Sequence, residues 1–324
     1  MNIVLMATED EKNTTWYKSF VQDTNSTWFL PFMPDFENYQ SYDNNTISLN
    51  ATNPSMNTTQ YNLHNFYGHM MAKRTSQYFQ HNLTQDDPRK DKRSFILTRS
   101  TTTGTGQYAS HWLGDNYREY RFMNYSIAGI MSFNMFGIPH VGADVCGFFG
   151  DARNDKLCAK WAQLATFYPF ARFHYNIHMP PNEPYLLDEP YKSIVKRTMF
   201  DRYQYLRHLY TCLFEMSRNG GTCFDPLFYY FPLDNRTYDE IESTFIYAGV
   251  LKITPSLTDS TGDLMPSYFP DAKGPWVSLT NLRDSLIGGQ VHNLNITGQS
   301  VNVHMMPGTI FGFQNNSDAS INNV

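Results

Sequence analysis

The chain has 324 residues, enough for one large domain or a large domain with a smaller one. A formal net charge of −5 gives no basic face for nucleic acid. Aromatics are heavy at 16% and charged residues light at 17%, against about 25% in typical proteins. No run of 18 apolar residues occurs, which excludes a membrane span of that kind.

The N-terminal stretch MNIVLMATEDEK lacks the basic n-region and long apolar core of a signal peptide. Residues 1–60 are polar and Asn-rich and read as an irregular insertion or loop. Asn65 to Ala72 opens a helix, and Asn82 to Arg93 is a polar surface connection. Phe95-Ile96-Leu97 reads as a short buried strand and Tyr108–Leu113 as a second. Tyr120–Phe136, rich in Met, Ile and Phe, reads as helix, and Gly137–Gly142 as strand. Leu157, Trp161, Leu164 and Tyr168 recur at spacings of four, three and four, one face of an amphipathic helix within 154–170. A second long helix covers 194–217, ended by Asn219-Gly220-Gly221. Pro226–Pro232 reads as a buried strand. Alternating strands and helices over 61–240 predict a parallel α/β sheet or barrel, with reactive groups at C-terminal strand ends. From 241 to 324 turn residues recur between short alternating segments, as in a small antiparallel β domain.

The four cysteines, Cys146, Cys158, Cys212 and Cys223, fall in two pairs about a dozen residues apart. Neither pair has the C-x-x-C spacing of a zinc or redox site. A loop-closing disulfide suits Cys146 and Cys158, whereas Cys212 and Cys223 suit a disulfide or buried thiols equally. Asn-x-Ser/Thr occurs at Asn13, Asn25, Asn44, Asn50, Asn57, Asn82, Asn124, Asn235, Asn295 and Asn315. Such sequons are acceptors in secretory proteins, and also arise by chance in an Asn-rich chain. Together with the cysteines they favour the secretory pathway, either lysosomal or extracellular.

The polar strand ends hold the chemistry. His111-Trp112-Leu113-Gly114-Asp115-Asn116 places a carboxyl among apolar, close-packed neighbours. Alone, Asp115 would read as a turn or cap residue. Arg99 follows an apolar strand and calls for a carboxylate partner. Asp144 ends another strand and could bond two sugar hydroxyls or cap a loop. Phe148 could stack or pack, and His174 would by default be a core histidine. A metal set from His111, Asp115, His140, Asp144 and His174 lacks short ligand spacing, so no metal and no cofactor are expected. A P-loop, a dinucleotide fingerprint and a nucleophile elbow are absent.

The tracts FILTRS, HWLGDN, GIPHVGADVCGF and LCxxWxQLxxFYPFxRxH, in that order, resemble glycoside hydrolase family 31, the α-glucosidase family. Asn65–Gly68, Pro226-Leu227-Phe228 and Ile253-Thr254-Pro255 extend the likeness over about 61–310. The resemblance implies a partial (β/α)₈ TIM barrel, its C-terminal strands, followed by an antiparallel β-sandwich domain. It implies retaining hydrolysis of terminal α-linked glucose in oligosaccharides or glycans. By motif, Asp115 matches the general acid/base. Arg99, Trp112, Asp144, Phe148 and His174 match the wall of the terminal-sugar subsite. Cys146 and Cys158 match a disulfide of secreted relatives.

The sequence departs from the family in two places. Asp225 stands where Arg is frequent. The W-x-D-M-N-E tract that carries the nucleophile is not found, and Met1-Asn2 would align with its M-N, with Ile3 in the place of its Glu. The expectation is therefore a chain without its nucleophile. Its alternatives are a shortened, inactive product that binds glycan or a protein partner, and a transglucosidase or α-xylosidase.

Overall fold

A computed structural model describes residues 51–90, 92–259, 264–297 and 300–314. The chain divides into two compact units, Met1–Ala109 and Ser110–Val324. In the first, strands β1 (Thr52–Asn53) and β2 (Thr58–Thr59) form an antiparallel hairpin. One helical turn, Gln60–Leu63, leads to helix α1 (Tyr67–His81). Gly68 of α1 lies so close to Ser100 that a Cβ would collide with it. His69 bonds Thr105 Oγ1 through Nδ1 at 3.0 Å and meets Tyr108 edge-on. Strand β3 is only Leu97–Thr98. Phe95, expected inside a buried strand, is exposed, because the regular pairing starts two residues after it.

The second unit begins with the βα pattern that the sequence predicts. Strand β4 (Ser110–Trp112) is followed by helix α2 (Tyr120–Met135) and β5 (Val141–Gly142). Strand β6 (Asp144–Val145) is followed by helix α3 (Asp155–Ala165) and β7 (Arg172–Phe173). β5 pairs in parallel with β4, and β6 in parallel with β7. The run Val141–Val145 thus sits between two parallel neighbours, each joined to it by a helical crossover. Gly142 admits no side chain here, since a Cβ would enter the Phe170 carbonyl. Among the described residues these strands do not close into a barrel.

Helix α3 starts where Asn154 Oδ1 accepts the Leu157 N–H at 3.0 Å, with Asp155 favourably placed in the first turn. It stops at Ala165, five residues before the end of the predicted span. The cause is Arg202, whose guanidinium donates to the carbonyls of Ala165, Thr166, Tyr168 and Pro169. One side chain thereby satisfies the helix-end acceptors that backbone would otherwise leave open. Tyr168 remains fully buried beyond the helix, its hydroxyl shared by Trp161 Nε1 at 3.1 Å and Ser126.

Helix α4 (Tyr191–Asn219) ends at Gly220, whose φ of 76° suits glycine. The Cys212–Cys223 disulfide ties its last turns to β8 (Phe224–Asp225). Residues 226–232 are not the predicted strand. Pro226 leads into a 3₁₀ turn over Leu227–Tyr229, and the strand is the pair of residues before it. The aromatic run packs as a turn, with Phe228 stacked on Tyr238 at 4.9 Å.

The remaining strands are β9 (Phe245–Tyr247), β10 (Leu251–Thr254), β11 (Leu264–Phe269), β12 (Pro275–Ser278), β13 (Ser285–Ile287), β14 (Gln290–Asn295) and β15 (Asn302–Met305). Six form one antiparallel sheet in the order β13-β12-β15-β10-β9-β8, and β11 pairs with β14. A large core joins α2, α3 and α4 to β9, β10 and β15 through Met123, Trp161, Phe167, Phe245 and Ile253. A smaller one holds Leu227, Ile246, Phe269 and Trp276.

Candidate active site

In the second unit, the ends of β4, β6 and β7 carry Trp112, Asp144 and Arg172. The parallel register sets Asp144 directly opposite Arg172. The Asp144 side chain has no exposed surface, and its Oδ1 accepts Arg172 Nε at 3.0 Å and Nη2 as well. The guanidinium lies over Trp112 and Phe170, 5.2 and 5.6 Å from their ring centres. Burial pushes the Asp144 carboxyl above its ordinary value, and Arg172 and His174 oppose that shift. Asp115 acts in the same direction as burial, so the two carboxylates sense one another.

Asn116 holds the two aspartate loops together. Its amide Nδ2 donates to the Asp144 carbonyl at 2.9 Å. Its Oδ1 accepts the Phe148 N–H at 2.9 Å, and its carbonyl accepts the N–H groups of Phe148 and Phe149. Gly114, at φ 85°, makes the turn that delivers Asp115, which is half-buried. Cys146, at φ 74°, is fixed by its disulfide to Cys158. Gly147 follows at φ 88°, with the Arg118 backbone and side chain where a Cβ would be. Arg118 in turn donates to the carbonyls of Gly147 and Pro180. Phe148 faces the His174 ring at 5.0 Å, and Asn182 donates to the carbonyls of Gly147 and His174.

Four buried polar atoms in this cluster have no partner among the described residues: Trp112 Nε1, Arg118 Nη1, Asp144 Oδ2 and Asn182 Oδ1. Two are donors and two are acceptors, in the pattern of a site that bonds hydroxyl groups. Buried polar atoms are otherwise almost always paired.

Of the residues singled out from sequence, Trp112, Asp115, Asp144, Phe148 and His174 lie on neighbouring loops and strand ends of the second unit. Arg99 follows β3 in the first unit and is exposed. The carboxylate-bearing pair found by structure is Asp144–Arg172. Arg172 and Asn116 were missed by sequence reasoning. The charged residue inside the FYPFxRxH tract was the available signal for Arg172. His111 and His140 do other work: His111 stacks on Phe133 at 3.9 Å, and His140 bonds Ser110. Both cysteine pairs are disulfide-bonded, which resolves the two readings left open for Cys212 and Cys223.

Comparison with known proteins gives the family. The chain is 35% identical to rabbit (Oryctolagus cuniculus) intestinal sucrase-isomaltase over 254 residues, 78% of this chain and 13% of that protein. It is 34% identical to mouse (Mus musculus) lysosomal alpha-glucosidase over 279 residues, 79% of this chain and 28% of that protein. The chain therefore spans less than a third of these relatives. A structure of the glucosidase II alpha subunit with Glc1Man2 bound superposes with a TM-score of 0.72 at 26% identity, over 81% of this chain and 28% of that one. The same subunit has been solved in a heterodimeric complex with the binding domain of a regulatory subunit. The profile described as "Glycosyl hydrolases family 31 TIM-barrel domain" matches residues 3–212, so the chain belongs to glycosyl hydrolase family 31 and has a barrel-type α/β fold.

Proposed function

We propose that this chain carries the acid/base and sugar-holding face of a retaining α-glucosidase-type site acting on terminal α-linked glucose. The observation that carries the reading is the pair of unpartnered buried atoms, Trp112 Nε1 and Asp144 Oδ2, beside Asp115. Asp115 protonates the leaving glycosidic oxygen and later deprotonates the incoming water. Asp144 accepts from sugar hydroxyls through Oδ2 while Arg172 holds its other oxygen. Trp112 donates from its indole, and Phe148 and His174 form the adjoining wall. Retention requires a second carboxylate about 5–5.5 Å from the acid. Asp144 is committed to Arg172, so the nucleophile is a carboxylate other than Asp144.

The strands 110–112, 141–145 and 172–173 read as consecutive C-terminal strands of a (β/α)₈ barrel, and 241–324 as a β-sandwich domain that follows it. The disulfides and the lysosomal relative support a secretory location.

The test is hydrolysis of an aryl α-glucoside by the purified chain, with the product anomer followed by NMR. Turnover that releases α-glucose and is lost in Asp115→Asn supports the reading. Turnover unchanged in that variant overturns it. A folded chain that binds α-glucosides without turnover supports a second reading, a non-catalytic glycan binder, which the commitment of Asp144 to Arg172 favours. Turnover confined to aryl α-xylosides, or transfer to a sugar acceptor, reassigns the substrate within the family.

A further inference from the structure

A cavity of about 290 Å³ lies between helices α3 and α4 and the segments that flank β12 and β15. It shares no lining residue with the Asp115 cluster. Gln163 and Thr166 come from the end of α3, and Arg197, Asp201, Gln204 and Tyr205 from one face of α4. Thr280 and Phe313 complete the rim. The spacing along α4 explains the convergence, because residues 197, 201, 204 and 205 fall on one helical face.

Two of these side chains are at least nine-tenths buried yet leave polar atoms unused. Gln163 is 9% exposed and Tyr205 8% exposed. Among the described residues neither the Gln163 amide nor the Tyr205 hydroxyl has a hydrogen-bond partner, and both residues line the cavity. The Gln204 amide, half-buried, is likewise unbonded. None of the three is among the fully buried polar atoms that lack a partner, so these groups open onto the cavity, where a guest can bond them.

The chemistry of the lining selects the guest. Amides and a phenol both donate and accept, which suits hydroxyl groups. Arg197 and Asp201 stand 3.7 Å apart and neutralise one another, so neither a free anion nor a cation meets a matching unpaired charge. Burial raises the Asp201 carboxyl above its ordinary value, as expected for a carboxylate facing a half-enclosed space. Tyr205 and Phe313, 5.9 Å apart between ring centres, add apolar faces of the kind that cover the C–H faces of a sugar ring. The volume is at the lower end for ligand pockets and fits a small guest.

The geometry points to a second, non-catalytic carbohydrate site that takes one neutral hexopyranose unit of an oligosaccharide through Gln163, Gln204, Tyr205 and Asp201. It does not rest on the role assigned to Asp115. The test uses the full chain, with glucose and maltose as probes, titrated by saturation-transfer NMR in wild type and in an Asp144→Asn background. Saturable binding should persist in Asp144→Asn. It should weaken by about tenfold or more when Gln163→Leu is added, the effect of losing one or two buried hydrogen bonds. Gln204→Leu, at a half-buried position that folding tolerates better, should weaken binding in the same direction. Circular dichroism checks that each variant is folded. Binding abolished by Asp144→Asn alone, binding unchanged by both glutamine variants, or no binding at millimolar sugar would each overturn the proposal.

Discussion

Replacing Arg172 by leucine tests how the candidate site is held. The guanidinium supplies two hydrogen bonds to a carboxylate with no exposed surface. Deleting one partner of a buried pair typically costs about 3–5 kcal/mol, because the remaining charge is stranded. Here the Arg172 side chain is 29% exposed, so water reaches the vacated side and screens part of the loss. That places the expected destabilisation near the low end, at about 3 kcal/mol. Asp144→Asn keeps the volume and should cost less, about 1–2 kcal/mol. The double variant should not lose the sum, and the coupling should be at least about 1 kcal/mol.

Urea unfolding followed by Trp fluorescence gives all four corners of the cycle. The sign with pH is also fixed. Arg172 lowers the Asp144 carboxyl pKa, so it stabilises the folded chain where that carboxyl is ionised. The advantage of wild type over Arg172→Leu should therefore shrink as pH falls and Asp144 takes up a proton. Additive single variants, within about 0.3 kcal/mol, together with a pH-independent difference, would refute the coupling.

Four further outcomes follow from groups elsewhere. His304 lies opposite Lys252 in the β10–β15 register and is held down to about 4 by burial and then by the Lys252 charge. A base whose folded pKa is lowered favours the neutral fold, so stability should fall by about 3 kcal/mol as pH drops from 6.5 towards 4, and His304→Phe should flatten that slope. Lys252, lowered to about 7 by burial, is neutral-favouring in the same sense. Its contribution falls between pH 10.5 and 7, so Lys252→Met should gain stability at pH 7 relative to pH 10, measured by thermal melting. Arg202→Met leaves four carbonyls at the end of α3 without their donor. It should cost about 3 kcal/mol in urea unfolding, with amide exchange accelerated first over 157–168. Cys212→Ser with Cys223→Ser opens a loop of sequence separation 11. It should cost about 3 kcal/mol by the chain-entropy relation, whereas a neutral result would show the bridge to be dispensable.

The sequence was most legible where the physics is local. Leu157, Trp161 and Leu164 on one face located α3, the α2 span followed from its richness in Met, Ile and Phe, and the closing glycines marked the end of α4. The end of α3 was not legible, because Arg202 stops it from 37 residues away. The aromatic run 226–232 matched a buried strand in composition, yet proline geometry and the Phe228–Tyr238 stack make it a turn. At the site, the HWLGDN and GADVC tracts marked Trp112, Asp115 and Asp144 as polar groups at strand ends. Their partners were hidden, since Arg172 and Asn116 meet the Asp144 residue across 28 positions of sequence. Parallel pairing of β6 with β7 creates that meeting, and register is a tertiary property.

The most direct measurement of the central claim is a titration of the chain with methyl α-glucoside, compared among wild type, Asp144→Asn and Trp112→Phe. A sugar site built on the unpartnered Asp144 Oδ2 and Trp112 Nε1 predicts binding that Asp144→Asn weakens by about tenfold or more and Trp112→Phe by a smaller factor. Affinity unchanged in both variants would contradict it.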